Sequence, residues 1–105
     1  MSIEIAKKLA DYIVRTKSPE MRWTWGQGIM GAAFDDLDTY LGTENYTPFL
    51  RAFCDYYVKN EPTVSSADTA APGFITYAVY RRTGEAAYKA LTDKVLDYIK
   101  NEPRV

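Results

Sequence analysis

The sequence predicts an all-α fold of repeated α/α hairpins, and three observations carry that prediction. Apolar residues recur at helical spacing, with charges between them, in IAKKLADYIV (Ile5, Leu9, Ile13), YTPFLRAFCDYYV (Tyr46, Phe49, Phe53, Tyr57) and YKALTDKVLDYIK (Tyr88, Leu91, Val95, Tyr98). Between these amphipathic segments lie GIMGAAFDDLDTYL and DTAAPGFITYAVYRR, both of helix length and poor in charge through their first turns. The amphipathic segments also end alike, as DYIVRTKSP, DYYVKNEP and DYIKNEP, which places Asp11, Asp55 and Asp97 44 and 42 residues apart. No run alternates apolar and polar residues between hairpin turn signals, so no strand is expected.

Each element follows from local chemistry. Pro19, Pro62 and Pro103 stop the amphipathic helices, because proline lacks the N–H that the helix ladder needs. Gly42 in LGTENY lies four residues before Tyr46, and Gly84 in RTGEAAY lies four residues before Tyr88. The repeat is therefore a charge-poor helix, a glycine turn, an amphipathic helix and a proline stop. Helices of these two kinds suit two concentric layers, with charge-poor helices inside and amphipathic helices outside. An α/α toroid fits that layering, and an open solenoid with a period near that of HEAT repeats is the alternative. Residues 1–105 are expected to form a single all-α domain of about two and a half hairpins.

Composition excludes several functions. The 105 residues are 47% hydrophobic and 26% charged, as in a folded domain. A net charge of −1 gives no electrostatic basis for binding nucleic acid or an anionic membrane. No apolar stretch is long enough for a secretory signal or a spanning helix, and a cytoplasmic protein is the default expectation. There is no histidine and one cysteine, Cys54, within an apolar run. Imidazole-based catalysis, ordinary zinc sites and an intramolecular disulfide are thereby removed, and no metal or cofactor is expected. Cys54 reads as a small buried hydrophobe.

Gly26, Gly28 and Gly31 in WGQGIMG match G-x-G-x-x-G. A dinucleotide site would need a strand before this loop and a second strand carrying an acid about 20 residues later, and neither is present. The three glycines instead predict a helix that approaches its neighbours closely, since each costs up to ~1 kcal/mol relative to alanine. Asp35, Asp36 and Asp38 do not continue as a calcium loop, because Leu41 and Thr47 stand where Gly and Glu are needed. They are expected to be a solvated helix end. Arg81 and Arg82 are read as cations favoured at a helix C-terminus.

Asp68 precedes a charge-poor helix. Its neighbours Ala67, Ala70 and Ala71 would partly desolvate it and favour a protonated carboxyl, although a helix N-terminus opposes that effect. It is equally a candidate N-cap. Trp23 and Trp25 can stack on a sugar ring or plug the core. Gln27 can hydrogen-bond a hydroxyl or carboxylate, or lie on the surface. The many tyrosines at helical spacing read as structural.

The order RWTWGQGIMGAAF, TGEAAY, DTAAPG and KNEPRV resembles glycoside hydrolase families 88 and 105, the unsaturated glucuronyl and unsaturated rhamnogalacturonyl hydrolases, over residues 20 to 105. The most specific parts are W-x-W-x-Q-G at Trp23, Trp25, Gln27 and Gly28, and D-x-x-x-P-G at Asp68, Pro72 and Gly73. The resemblance implies a six-hairpin α/α toroid. It implies an oligosaccharide substrate ending in a 4,5-unsaturated uronic acid, from pectin, rhamnogalacturonan or glycosaminoglycan. An aspartic acid protonates the C4=C5 enol ether, water adds at C5, and the hemiketal opens to release the sugar. Asp68 matches one of two family aspartates, and the resemblance makes Trp23, Trp25 and Gln27 candidate sugar contacts.

The resemblance also implies a longer chain. The sequence looks like the first two and a half hairpins of six, which is expected to be inactive alone and to self-associate through apolar helix faces. A non-catalytic helical-repeat binding protein is the second function the residues allow.

Overall fold

A computed structural model of the chain describes residues 3–101. Its helices are α1 (Ile3–Thr16), α2 (Trp25–Leu41), α3 (Thr47–Lys59), α4 (Ala67–Ala70), α5 (Gly73–Thr83) and α6 (Ala86–Asn101). The described residues contain no strand, as the periodicity predicts. Pro103 and the motif residues 102–105 lie outside the described residues.

The charge-poor helices α2 and α5 pack on each other. Helix α1 lies against α2, α3 spans α2, α5 and α6, and α6 covers α5. The centre is Leu50, Phe53 and Cys54 of α3 against Ile75 and Val79 of α5, all with no exposed surface. Burying side chains of this size stabilises by about 1.5–3 kcal/mol each, which is why the apolar spacing specifies the helix faces. Cys54 is a buried free thiol, and burial pushes its pKa well up, so it packs as a hydrophobe.

The two helix-ending turns need glycine. Gly42 (φ 67°) and Gly84 (φ 70°) adopt the left-handed conformation that caps α2 and α5. The amphipathic helices following these turns carry equivalent bonds. The Tyr46 hydroxyl donates to Asp11 at 2.7 Å, and the Tyr88 hydroxyl donates to Asp55. Thus the tyrosine that opens each later amphipathic helix reaches back to the aspartate of the preceding one. Desolvation and the adjacent carboxylate push both phenols up to about 12. Asp11 is held below the usual carboxylate range, chiefly by the Tyr46 hydroxyl.

Three expectations change. First, Asp35 and Asp38 are buried, and only Asp36 is exposed, so the acidic run is not a solvated helix end. Asp35 accepts from Arg81 at 2.7 Å and from Arg82 at 2.8 Å, which clamps α2 to α5. The two arginines therefore serve an ion pair rather than only a helix dipole. Asp38, 1% exposed, accepts from the Asn45, Tyr46 and Thr47 N–H groups and from the Thr43 and Thr47 hydroxyls. It supplies the cap that Tyr46, the N-cap residue of α3, cannot. Burial of Asp38 opposes its charge, but these donors outweigh burial and its pKa is lowered.

Second, DTAAPG does not open one continuous helix. Pro72 has no N–H to give the Asp68 carbonyl, so the chain forms the single turn α4 and restarts as α5 at Gly73. Third, the charge-poor helices are covered on fewer sides than expected. Ile29 and Tyr40 of α2, and Phe74 and Tyr77 of α5, are exposed. One apolar groove runs between α1 and α2, past Leu9, Ile13, Met30 and Tyr40. Another runs between α5 and α6, past Phe74, Tyr77, Leu96 and Ile99. No helix of the described residues is long and apolar enough to cross a membrane.

Candidate functional site

The start of α2 and the α4–α5 junction form one end of the molecule's central layer, and glycine lets them touch. A Cβ on Gly28 would lie 2.6 Å from the carbonyl carbon and oxygen of Ala71 and 2.9 Å from the Pro72 nitrogen. One on Gly31 would lie 2.2 Å from Cγ1 of Ile75. These two glycines have the packing reason the sequence predicts. Gly26 does not, because nothing lies within 4 Å of its Cβ position.

The two tryptophans separate. Trp23 is 8% exposed, its ring stacked on Phe53 at 5.8 Å and edge-on to Tyr57 at 5.0 Å. Its Nε1–H donates to the Thr69 carbonyl at 2.6 Å, which joins the segment before α2 to α4. Trp23 thus sits in the core between Phe53 and Tyr57. Trp25, two residues later, opens α2 and is 58% exposed. Gln27 is half-buried, and the Thr24 hydroxyl donates to its amide oxygen. Its amide N–H groups are what it can offer a ligand. Thr24, the N-cap residue of α2, makes no side-chain cap bond.

Asp68 lies in α4 and is exposed, so the flanking alanines do not desolvate it. It is not the N-cap either. Ser66 holds that position, its hydroxyl accepting from the Thr69 N–H at 3.4 Å while Oγ1 of Thr69 accepts from the Ser66 N–H at 2.9 Å. This reciprocal capping box fixes the turn while leaving the Asp68 carboxyl outside it. The serine pair before Asp68, with a hydroxyl residue three positions after Ser66, is a signal that sequence reading passed over.

The structure thus brings W-x-W-x-Q-G and D-x-x-x-P-G together from segments more than forty residues apart in sequence. No curated protein and no solved structure matches the chain significantly. A protein-family match, to Glycosyl Hydrolase Family 88, covers residues 1–105. With every residue inside that match, and with its motifs meeting at one end of an all-helical fold, the chain belongs to Glycosyl Hydrolase Family 88.

Proposed function

We propose that this chain is part of a hydrolase acting on oligosaccharides that end in a 4,5-unsaturated uronic acid, and that Asp68 is its proton donor. In this reading residues 1–105 form one all-α domain, an arc of a six-hairpin toroid. The observation that carries it is the contact between the two motif segments, Gly28 on Ala71 and Pro72 and the Trp23 indole on Thr69. This contact sets exposed Trp25 and half-buried Gln27 on the helix end that packs against the turn bearing Asp68.

The chemistry assigned to these groups follows their types. Trp25 offers a ring face to the apolar side of the sugar. Gln27 donates to a ring hydroxyl or to the uronate. The positive end of α2, where Thr24 makes no cap bond, favours the uronate's negative charge. Asp68 delivers a proton to C4 of the enol ether, water adds at C5, and the hemiketal opens with release of the sugar. Of the two aspartates that the family resemblance implies, only Asp68 has a counterpart in residues 1–105. Turnover is therefore measured on the protein that carries both.

The test is the ultraviolet absorbance of the C4=C5 bond in an unsaturated uronyl disaccharide. Asp68→Asn is expected to reduce its rate of loss by about 100-fold or more, the scale of general acid catalysis. Undiminished turnover in D68N would remove Asp68 from the mechanism.

A further inference from the structure

We infer that Trp23 is a positioning residue, a tether whose indole N–H fixes the turn carrying Asp68, and not a platform for the sugar. The inference rests on the reading of Asp68 given above. Its geometric basis is separate.

Helix α4 is one turn long, and a lone turn is not stable in water, because fixing three residues for one hydrogen bond is unfavourable. Something outside α4 must hold it. Within the segment, the capping box of Ser66 and Thr69 closes the turn on itself. It does not attach the turn to the rest of the molecule. Packing against α6 and two contacts with the segment around the start of α2 do so, the latter being the Trp23 Nε1–H bond to the Thr69 carbonyl at 2.6 Å and the close approach of Gly28 to Ala71. The bond falls on the residue next to Asp68.

The donor end of the tether is itself packed in the core. Trp23 is stacked on Phe53, which has no exposed surface, and meets Tyr57 edge-on. The Tyr57 hydroxyl in turn donates to the carbonyl of Met21, two residues before Trp23. The chain of contact runs from the core of α3 through the indole ring to the backbone of α4. The position of Asp68 is thereby referenced to the most buried part of the molecule. Two tryptophans in W-x-W then have different tasks, Trp23 inward as the tether and Trp25 outward.

Replacement of Trp23 by benzothienylalanine, which keeps the fused ring but has sulfur in place of N–H, isolates the bond. Trp23→Phe is the genetically encoded companion. Amide hydrogen exchange, followed residue by residue, reports α4 through the Ala70 and Ala71 N–H groups, which donate to Ser66 and Ala67. In the benzothienyl variant these two amides are expected to exchange about fivefold faster, the worth of one lost hydrogen bond. Phe53 and Cys54 amides in α3 are expected to keep their rates. Unchanged exchange at Ala70 and Ala71, or equal acceleration at Phe53 and Cys54, would overturn the tether.

A second readout separates positioning from packing. In the protein that turns over substrate, the benzothienyl variant is expected to lower kcat about tenfold with KM unchanged, since misplacing a catalytic group acts on the chemical step. A rise in KM alone would instead make Trp23 a sugar contact and overturn the inference. The exchange measurement needs no turnover, so failure of D68N to lose activity refutes the role of Asp68 while leaving the tether standing. Unchanged α4 exchange refutes the tether while leaving Asp68 in place.

Discussion

Gly26 and Gly28 are two positions apart and predict opposite responses to a methyl group. At Gly28 the added Cβ meets the backbone of Ala71 and Pro72, which cannot rotate away, so Gly28→Ala is expected to destabilise by about 1–3 kcal/mol. At Gly26 the space is open, so Gly26→Ala is expected to be neutral or to stabilise by up to ~1 kcal/mol by removing unfolded-state entropy. Urea unfolding of both variants checks the sign at each site. Asp38 makes a different prediction, through pH. Its folded-state pKa lies below its ordinary value near 3.8, so the stability it contributes is complete above that value and lost as pH falls through the lower folded value. Asp38→Asn is expected to cost about 2–4 kcal/mol at pH 7, because an amide cannot accept all five donors, and the gap to wild type narrows below about pH 3.8. A gap that stayed constant down to pH 2.5 would show that the charge at position 38 is not what holds the 43–47 turn.

Helices were legible where period decides them, and less so where partners do. The five long helices follow from apolar spacing, from Gly42 and Gly84, and from the prolines. The paired residues Asp11, Asp55, Tyr46 and Tyr88 were visible as a repeat, but their bonds were not, because nothing in a sequence period says which groups face each other. The Asp35 clamp is hidden in the sequence for the same reason. Its arginines lie 46 and 47 residues away, so locally it looks like one more acidic side chain in a run of three. The clamp makes an element-level prediction. The Arg82 side chain is 18% exposed and also reaches the Asp35 carbonyl and the Thr39 hydroxyl, whereas that of Arg81 is 49% exposed. Arg82→Ala is expected to cost about 2 kcal/mol by leaving a buried carboxylate half-paired, and Arg81→Ala less than about 1 kcal/mol. Equal losses in thermal unfolding would mean that the two arginines share the pairing evenly.

At the scale of the whole molecule, the candidate site was legible as a pair of motifs, and the division of labour within it was not. Trp23 and Trp25 look alike in sequence, and burial against Phe53 is what tells them apart. The two apolar grooves, one on each flank of the helical stack, make a prediction about the free chain. Surfaces of that kind associate in water. Light scattering is expected to give a mass above the 11.9 kDa of one chain, falling toward it when Phe74→Glu places a charge in the α5–α6 groove. A monomer that binds no apolar dye would contradict this.

In the proposed function the start of α2 and the α4 turn together receive an unsaturated uronyl sugar. Titration of the labelled chain with an unsaturated uronyl disaccharide, followed by amide and indole resonances, tests it directly. Saturable shifts are expected at the Trp25 indole, the Gln27 side-chain amide and the Asp68 backbone, with Asp35 toward the other end of α2 and Arg82 of α5 unmoved. Shifts centred on Asp35 and Arg82, or no shift at Trp25 and Asp68 at millimolar sugar, would contradict it.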